Sequence, residues 1–447
     1  MKHGKMIFGE CQMLKKGFIL AAVVLFYCSN VYAQGAGTTG LNFLKISQGA
    51  RQSGMGEAFT GIADDVNALF WNPAGLTQLS RHQACLMHNA WLLDVNIEYL
   101  AYALPVPEVG SFGFYLTYLS TGEMFRTLED AGGNYVLTEE AVEASNISVN
   151  FAFAKKLSEI FEDVLWLDGL SAGIGFNYSG EDVAGDSGSG IGFSLSTFYI
   201  PKYEDYSFGL VLQNIGFTDN RPSLPAAVKL GFGYRFSFDK IMIMFSEESY
   251  FNFPEDDASF GLDLTVYPGE QIVRMNAGAE KYWELNKYHT VAARVGYKFG
   301  YDLGVLSGLT LGLGYRLTAG DMNFDIDYAL APQGDLGMSH RISLTGKFLG
   351  PPERRGRENK AEAIEFYKRG YRLLYEQKYT LAIDEFYECL KRDKTYASAY
   401  IGIGTCLQNM GKKEAALKAY EKALEYNPSN EKLRRYIESL KWGDLQF

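Results

Sequence analysis

The five histidines stand at positions 3, 82, 88, 289 and 340, and none has the spacing of an HExxH helix or a paired metal site. No GxxxxGK[ST] phosphate loop and no GxSxG nucleophile elbow occurs. The closest approach to hydrolytic chemistry is Ser339-His340-Arg341-Ile342-Ser343. A serine hydroxyl needs a base within reach, and alternation along a strand puts His340 with Ile342, away from Ser343. Gly188-x-Gly190-x-Gly192 imitates part of a dinucleotide loop but lies in a strand pattern, without the strand-to-helix turn that a pyrophosphate requires. The cysteines fall at 11, 28, 85, 389 and 406, with no CxxC and no metal-ligand spacing. Cys389 and Cys406 suit small buried helix positions. These residues predict no enzyme, no metal and no cofactor. Asp325, Asp327, Arg294 and Lys298 are expected to be lumen charges.

Whatever positions those charges has an unusual composition. Apolar residues make up 47% of the 447 residues, and 48 glycines accompany 30 Tyr and 30 Phe. Mean hydropathy is nevertheless only −0.12, too polar for a helical membrane protein. A sheet that is apolar on one face only, with aromatic girdles, suits these values. The net charge of −11 argues against a nucleic-acid partner. Lys15 and Lys16, the apolar run from Phe18 to Tyr27, and Val31 and Ala33 predict an export signal over 1–33, cleaved before Gln34. Tyr27 stands where a lipobox ahead of Cys28 needs a small residue, so a lipoprotein is not expected. Met13 is the expected start of translation.

From 83 to 349 the period is two. Val228, Leu230, Phe232, Tyr234 and Phe236 share one face, with Lys229, Gly231, Gly233 and Arg235 on the other. Val291, Ala293, Val295, Tyr297 and Phe299 repeat the pattern, as do Met322, Phe324, Ile326, Tyr328 and Leu330. Further strands surround Phe112, Ile147, Ile174, Phe193, Leu262, Leu311 and Leu344. A sheet edge cannot be left unpaired in hydrocarbon, so the sheet must close. The expectation is an all-β transmembrane barrel of about 14 antiparallel strands in the outer membrane, its apolar face on lipid and its other face on a water-lined lumen. A soluble sandwich or lipocalin-like barrel would need an apolar interior, and no apolar set remains to fill one. Met338–Phe348 is the expected last strand. An even strand number returns both ends to the periplasmic side. Thr121–Ala144 reads as an extracellular loop, and Leu157–Asp168 as a loop or helical insertion.

Residues 34–82 precede the first strand and contain GARQSGMGEAFTGIADDVNALFWNPAGL, from Gly49 to Leu76. Small residues let backbone pack closely in a narrow lumen, Asn72 can cap a turn with its side chain, and Pro73 fixes φ. A compact plug is one reading; a helix lead-in on the surface is the other. The stretch resembles the N-terminal signature of FadL-type long-chain fatty-acid transporters and of the related PorV/PorQ proteins. With the strands, the resemblance spans 34–350. It implies a hatch whose Asn72-Pro73-Ala74-Gly75 motif blocks the pore, an extracellular ligand groove, and a kinked strand that opens the wall sideways. Residue spacing locates neither the groove nor the kink. The implied function is passive transport of a hydrophobic ligand such as a fatty acid. PorV-like relatives imply instead a non-channel anchor or shuttle in a protein-secretion system.

After a charged linker at 350–361 the period becomes 3.6. Overlaying the tail on itself at 34 residues aligns Gly370 with Gly404, Ala382 with Ala416, Phe386 with Tyr420 and Cys389 with Ala423. Pro428 closes the second unit and Glu431–Lys441 forms a solvating cap helix. This resembles the tetratricopeptide family and predicts a small all-α module over 362–441, two repeats plus a cap, in the periplasm. The resemblance implies a concave face of Tyr367, Tyr371 and Tyr375 joined by Ile401, Thr405, Gln408 and Asn409. That face would take a periplasmic protein or peptide, or dock on the barrel.

Overall fold

The computed structural model describes residues 38–442 apart from 93, 123, 162–166, 168, 202–204, 220, 237–257, 287, 301–304, 350–357, 394 and 428–429. The expected export signal, most of the expected linker and Pro428 lie outside the described residues.

The alternating stretches form β1 (His82–Ala90), β2 (Asn96–Val106), β3 (Gly110–Ser120), β4 (Met124–Glu129), β5 (Tyr135–Val142), β6 (Ala144–Lys156), β7 (Leu170–Val183) and β8 (Asp186–Tyr199). They continue as β9 (Tyr206–Asp219), β10 (Ala227–Phe236), β11 (Ala258–Tyr267), β12 (Ile272–Asn286), β13 (His289–Phe299), β14 (Leu309–Ala319), β15 (Met322–Pro332) and β16 (Met338–Phe348). Fourteen of them close into one barrel in chain order, β3 pairing directly with β6 and β16 with β1. The closing ladder runs antiparallel from His82 opposite Phe348 to Ala90 opposite His340. β4 and β5 form a separate two-stranded hairpin within the expected Thr121–Ala144 loop.

Side chains point outward or inward by turns. On β14, Leu309, Leu311 and Leu313 are exposed, while Thr310 and Gly312 are buried. The outer face carries Phe151 at 57%, Ile174 at 55%, Phe217 at 65% and Leu313 at 63% relative exposure. A continuous apolar surface of this kind on a closed sheet is stable only against hydrocarbon. The barrel therefore spans a membrane. His340 faces outward with Tyr328, whose hydroxyl lies 2.7 Å from its Nδ1, and Ser343 faces inward and is buried.

The interior corrects one expectation. The lumen is not water-lined: the N-terminal segment fills it with an apolar core. Phe59, Ile62, Leu69, Phe70, Trp71 and Leu76 of that segment are buried, in one cluster with Met87, Tyr99, Tyr115 and Phe198 of the wall. Counting strand residues alone missed this core, because its apolar residues lie upstream in a stretch without strand periodicity.

The C-terminal unit consists of α3 (Glu358–Tyr375), α4 (Tyr379–Arg392), α5 (Ala397–Asn409), α6 (Lys413–Tyr426) and α7 (Glu431–Trp442). The first of these helices begins inside the segment read as linker. α4 buries Ala382, Phe386, Cys389 and Leu390, the i, i+4, i+7, i+8 stripe of an amphipathic helix. The 34-residue overlay has a direct physical counterpart. A Cβ on Gly370 would lie 2.8 Å from the Phe386 ring, and one on Gly404 would press on Tyr420 in the same way. Burial pushes the Cys389 thiol up to about 12 and the Cys406 thiol up to about 11, so both act as small apolar fillers at neutral pH.

Candidate functional site

The plug is built from two short helices, α1 (Ala50–Gly54) and α2 (Ala68–Trp71), and a 3₁₀ turn at Pro73–Gln78. Its glycines and alanines leave too little side chain for longer helices to pack, and the backbone itself meets the wall. Gly54 touches Gly312 of β14: a Cβ on either would lie 2.8–3.0 Å from the other's Cα. Cβ atoms on Gly278 of β12 and Gly296 of β13 would overlap the backbone at Met55 and Gly56. Gly231 and Gly233 of β10 meet Gly61 in the same way, and Gly209 of β9 meets the Thr60 carbonyl. Inward glycines on consecutive strands are thus the seat of the plug. Their signal in the sequence was an inward face of glycine where lumen charge would otherwise stand.

Asn72 is fully buried and pins three segments together. Its Nδ2 donates to the Thr60 carbonyl at 3.1 Å and to the Thr197 carbonyl of β8 at 3.2 Å. Its Oδ1 accepts the Ala74 amide at 3.2 Å, and that amide also reaches Ser196 Oγ at 2.9 Å. Pro73 opens the 3₁₀ turn, where no amide hydrogen is needed. A side chain at Gly75 would collide with Ala63, itself held at φ 37°. Non-glycine residues in this left-handed region persist only where surrounding contacts enforce them.

Charges hold the opposite flank, and the sequence singled out only some of them. Arg51 of α1 bonds Asp64 at 2.6 Å and Asp65 at 2.9 Å within the plug, and Glu280 of β12 at 3.0 Å. Glu280 also receives Arg294 of β13 at 3.0 Å, and Arg294 reaches Asp327 of β15 at 2.8 Å. Lys298 of β13 lies 3.3 Å from Glu57. Asp263 of β11 accepts the Phe59 and Thr60 amides at 2.9 and 2.7 Å. Arg294, Lys298 and Asp327 are the lumen charges expected, but they bind plug and wall and do not line open water.

Among the described strands the wall is irregular at the β12–β13 and β8–β9 joins. β9 carries an extra residue against β8 between Phe193/Ile215 and Leu195/Leu212, with Asn214 at φ 56°. The β9–β10 ladder ends at Gln213 opposite Ala227, and Ile215–Asp219 continue on β8 alone. The Ser223 carbonyl accepts the Gly40 amide of the plug at 3.0 Å, and Leu224 packs with Leu41. A cavity of about 20 Å³, lined in part by Phe70, Trp71, Asn214, Ala227 and Lys229, lies just inside.

In the helical unit, Tyr367 packs against Tyr371, Phe386 and Tyr396 at centroid distances of 5.2–6.1 Å. Tyr371 and Tyr375 are exposed. Ile401 packs partly on the core. Thr405 donates to the Ile401 carbonyl at 2.9 Å, and Asn409 to the Thr405 carbonyl at 2.9 Å. Gln408 Oε1 accepts both the Tyr420 hydroxyl, at 2.9 Å, and the Tyr436 hydroxyl, at 2.8 Å. Gln408 therefore joins α5 to α6 and α7, and Tyr371, Tyr375 and Asn409 are the exposed residues of the expected face.

Residues 23–160 match the model of an uncharacterised protein family, UPF0164, and residues 397–430 match the tetratricopeptide repeat. A UPF0164 protein of Treponema pallidum (strain Nichols) is 24% identical over 376 residues, which cover 81% of this chain and 81% of that one. Among solved structures, the toluene transporter TodX of Pseudomonas putida is similar at 11% identity. It aligns over 67% of this chain and 97% of its own, with a TM-score of 0.44. A Pseudomonas aeruginosa FadL homologue aligns at 12% identity over 68% of this chain and 98% of its own, with a TM-score of 0.41.

Proposed function

Taking the chain as a barrel with a UPF0164 region ahead of a tetratricopeptide repeat, we propose that it is an outer-membrane conduit for hydrophobic or amphipathic small molecules, such as long-chain fatty acids. The plug gates it, and solute leaves sideways through the β9–β10 join. The observation that carries this reading is the ladder ending at Gln213, next to Asn214, beside a cavity and under an apolar outer face. An apolar solute passing between those strands would enter hydrocarbon without crossing water. Passage is passive: the solute binds, the plug's first residues move aside, and the solute is released. The chain enters the barrel at His82 and leaves it at Phe348, opposite one another on the closing ladder. We assign that rim, and the helical unit that follows it, to the periplasm.

Labelled fatty acid taken up equally by cells with and without the protein would end this reading. Asn214→Gly keeps the left-handed residue and is expected to transport normally. Asn214→Val forces a β-branched residue into that region and is expected to cut uptake at least several-fold. Equal uptake by both variants would remove the join from the route.

A second reading is favoured by the same cavity, which has room for a water and not for a ligand. In it the barrel is an anchor or shuttle and the helical unit does the work by holding a periplasmic protein. Pull-down of the same secreted or periplasmic proteins by the full chain, lost in Tyr371→Ala/Tyr375→Ala, is its expected result. Retention unchanged in that variant would refute the proposed face.

A further inference from the structure

We propose that Arg51 is the latch of the plug, and that releasing it opens a second, hydrophilic path that conducts ions along β12–β16. This path differs from the apolar route at the β9–β10 join. It rests on the packing of the plug and not on hydrophobic uptake, so either can fail alone.

The plug is held by different physics on its two flanks. Toward β1–β3 and β8 it buries Leu69, Phe70 and Trp71 against Tyr99, Tyr115 and Phe198. Separating those surfaces would expose apolar area to water. Toward β12–β16 the wall carries buried Lys298 and Arg341 and six further charges: Glu280, Asp325 and Asp327 against Arg294, Arg316 and Lys347. These six are bonded to one another. Arg294 reaches Glu280 at 3.0 Å and Asp327 at 2.8 Å. Arg316 and Lys347 reach Asp325 at 2.6 and 3.2 Å. Those six stay paired when the plug withdraws, while Lys298 and Arg341 lose Glu57 and Ser47 of the plug, and the surface left is one that water and ions can wet.

Arg51 is what the plug adds to this network. One guanidinium holds Glu280 on the wall and Asp64 and Asp65 on the plug. Without it, Glu280 keeps Arg294, and Asp64 keeps Arg235 at 3.4 Å. The tie between plug and wall is lost while Glu280 and Asp64 each keep a cation and Asp65 keeps the Gln52 amide and the Asn67 N–H. A seam already runs there, a cavity of about 10 Å³ lined by Arg51, Asp65, Arg294, Arg316, Asp325 and Asp327 among others. With Lys298 and Arg341 beside the three acids and three bases the lining carries excess positive charge, so the open path should favour small anions over cations.

The test uses the full chain in planar lipid bilayers, with folding of each variant verified by heat-modifiable migration. Arg51→Ala is expected to raise open probability at least tenfold over the parent protein, with a reversal potential displaced toward that of chloride in a potassium chloride gradient. Glu280→Gln, acting from the wall, should do the same, and the double variant should open no further than either single one. Arg51→Lys keeps a charge in place and should conduct close to the parent level, which a loss of general plug stability would not predict. Folded Arg51→Ala and Glu280→Gln proteins that stay silent would overturn the proposal. So would effects that add in full, or a preference for cations.

Discussion

Alanine at Gly278 or Gly296 is expected to be among the most damaging single-methyl changes in the barrel. A Cβ at either position would occupy space held by the plug backbone at Met55 and Gly56. A flexible side chain could swing aside; a carbonyl and an amide nitrogen in a seated plug cannot. Overpacking a well-packed core costs about 1–3 kcal/mol, and contact with backbone belongs at the upper end or beyond. The readouts are the yield of heat-modifiable barrel and the protection of residues 49–79 from added protease. Both should fall together, because the plug is expelled or the barrel fails to close around it. Gly180→Ala is the matched control: its Cβ would meet Ile147 at 3.6 Å, an ordinary contact, and little change is expected. If Gly278→Ala and Gly296→Ala protect the plug as well as Gly180→Ala does, the seat described above is wrong.

Asn72→Asp should release the plug more completely than Asn72→Ala, although the aspartate is nearly isosteric. The alanine variant removes two donors and leaves the Thr60 and Thr197 carbonyls without Asn72, at about 1–3 kcal/mol for each buried group left unsatisfied. The aspartate variant turns an acceptor, and at neutral pH a charge, toward those same carbonyl oxygens inside the barrel. Protease protection of the plug should therefore rank parent, then alanine, then aspartate. Asn72→Asp with parental protection would mean that this side chain does not pin the plug. The ranking also separates donor chemistry from size, since a purely steric role would favour the aspartate.

These two sites show where reading residues in order succeeds. Asn72-Pro73-Ala74-Gly75 could be picked out because its chemistry is local: Asn72 accepts the amide of Ala74 two residues on, and Pro73 sits where a helix needs no donor. The strands were legible for the same reason. Period two in Val228–Phe236 or Met322–Leu330 is a property of neighbours, and lipid on one side makes it obligatory. The helical repeats were legible because Gly370 and Phe386 recur as Gly404 and Tyr420 at 34 residues. Each of these depends on residues close in the chain or repeated at one interval.

Which residues lie in the lumen, and against what, was decided only by closure. Arg51 and Glu280 are 229 positions apart, and Phe59 and Asp263 are 204 apart. Neither pair has a periodicity to betray it, and Arg51 reads as one polar residue in a run of small ones. The inward glycines of β9–β14 read as a lumen face, yet their partner is a backbone 149 to 258 residues upstream. The apolar residues from Phe59 to Leu76 belong to the stretch read as a plug, but which wall residues they pack against was fixed only when the barrel closed around them. Local sterics and solvent preference write strands, turns and helices into the sequence; the filling of the barrel depends on which surfaces meet when the first strand pairs with the last.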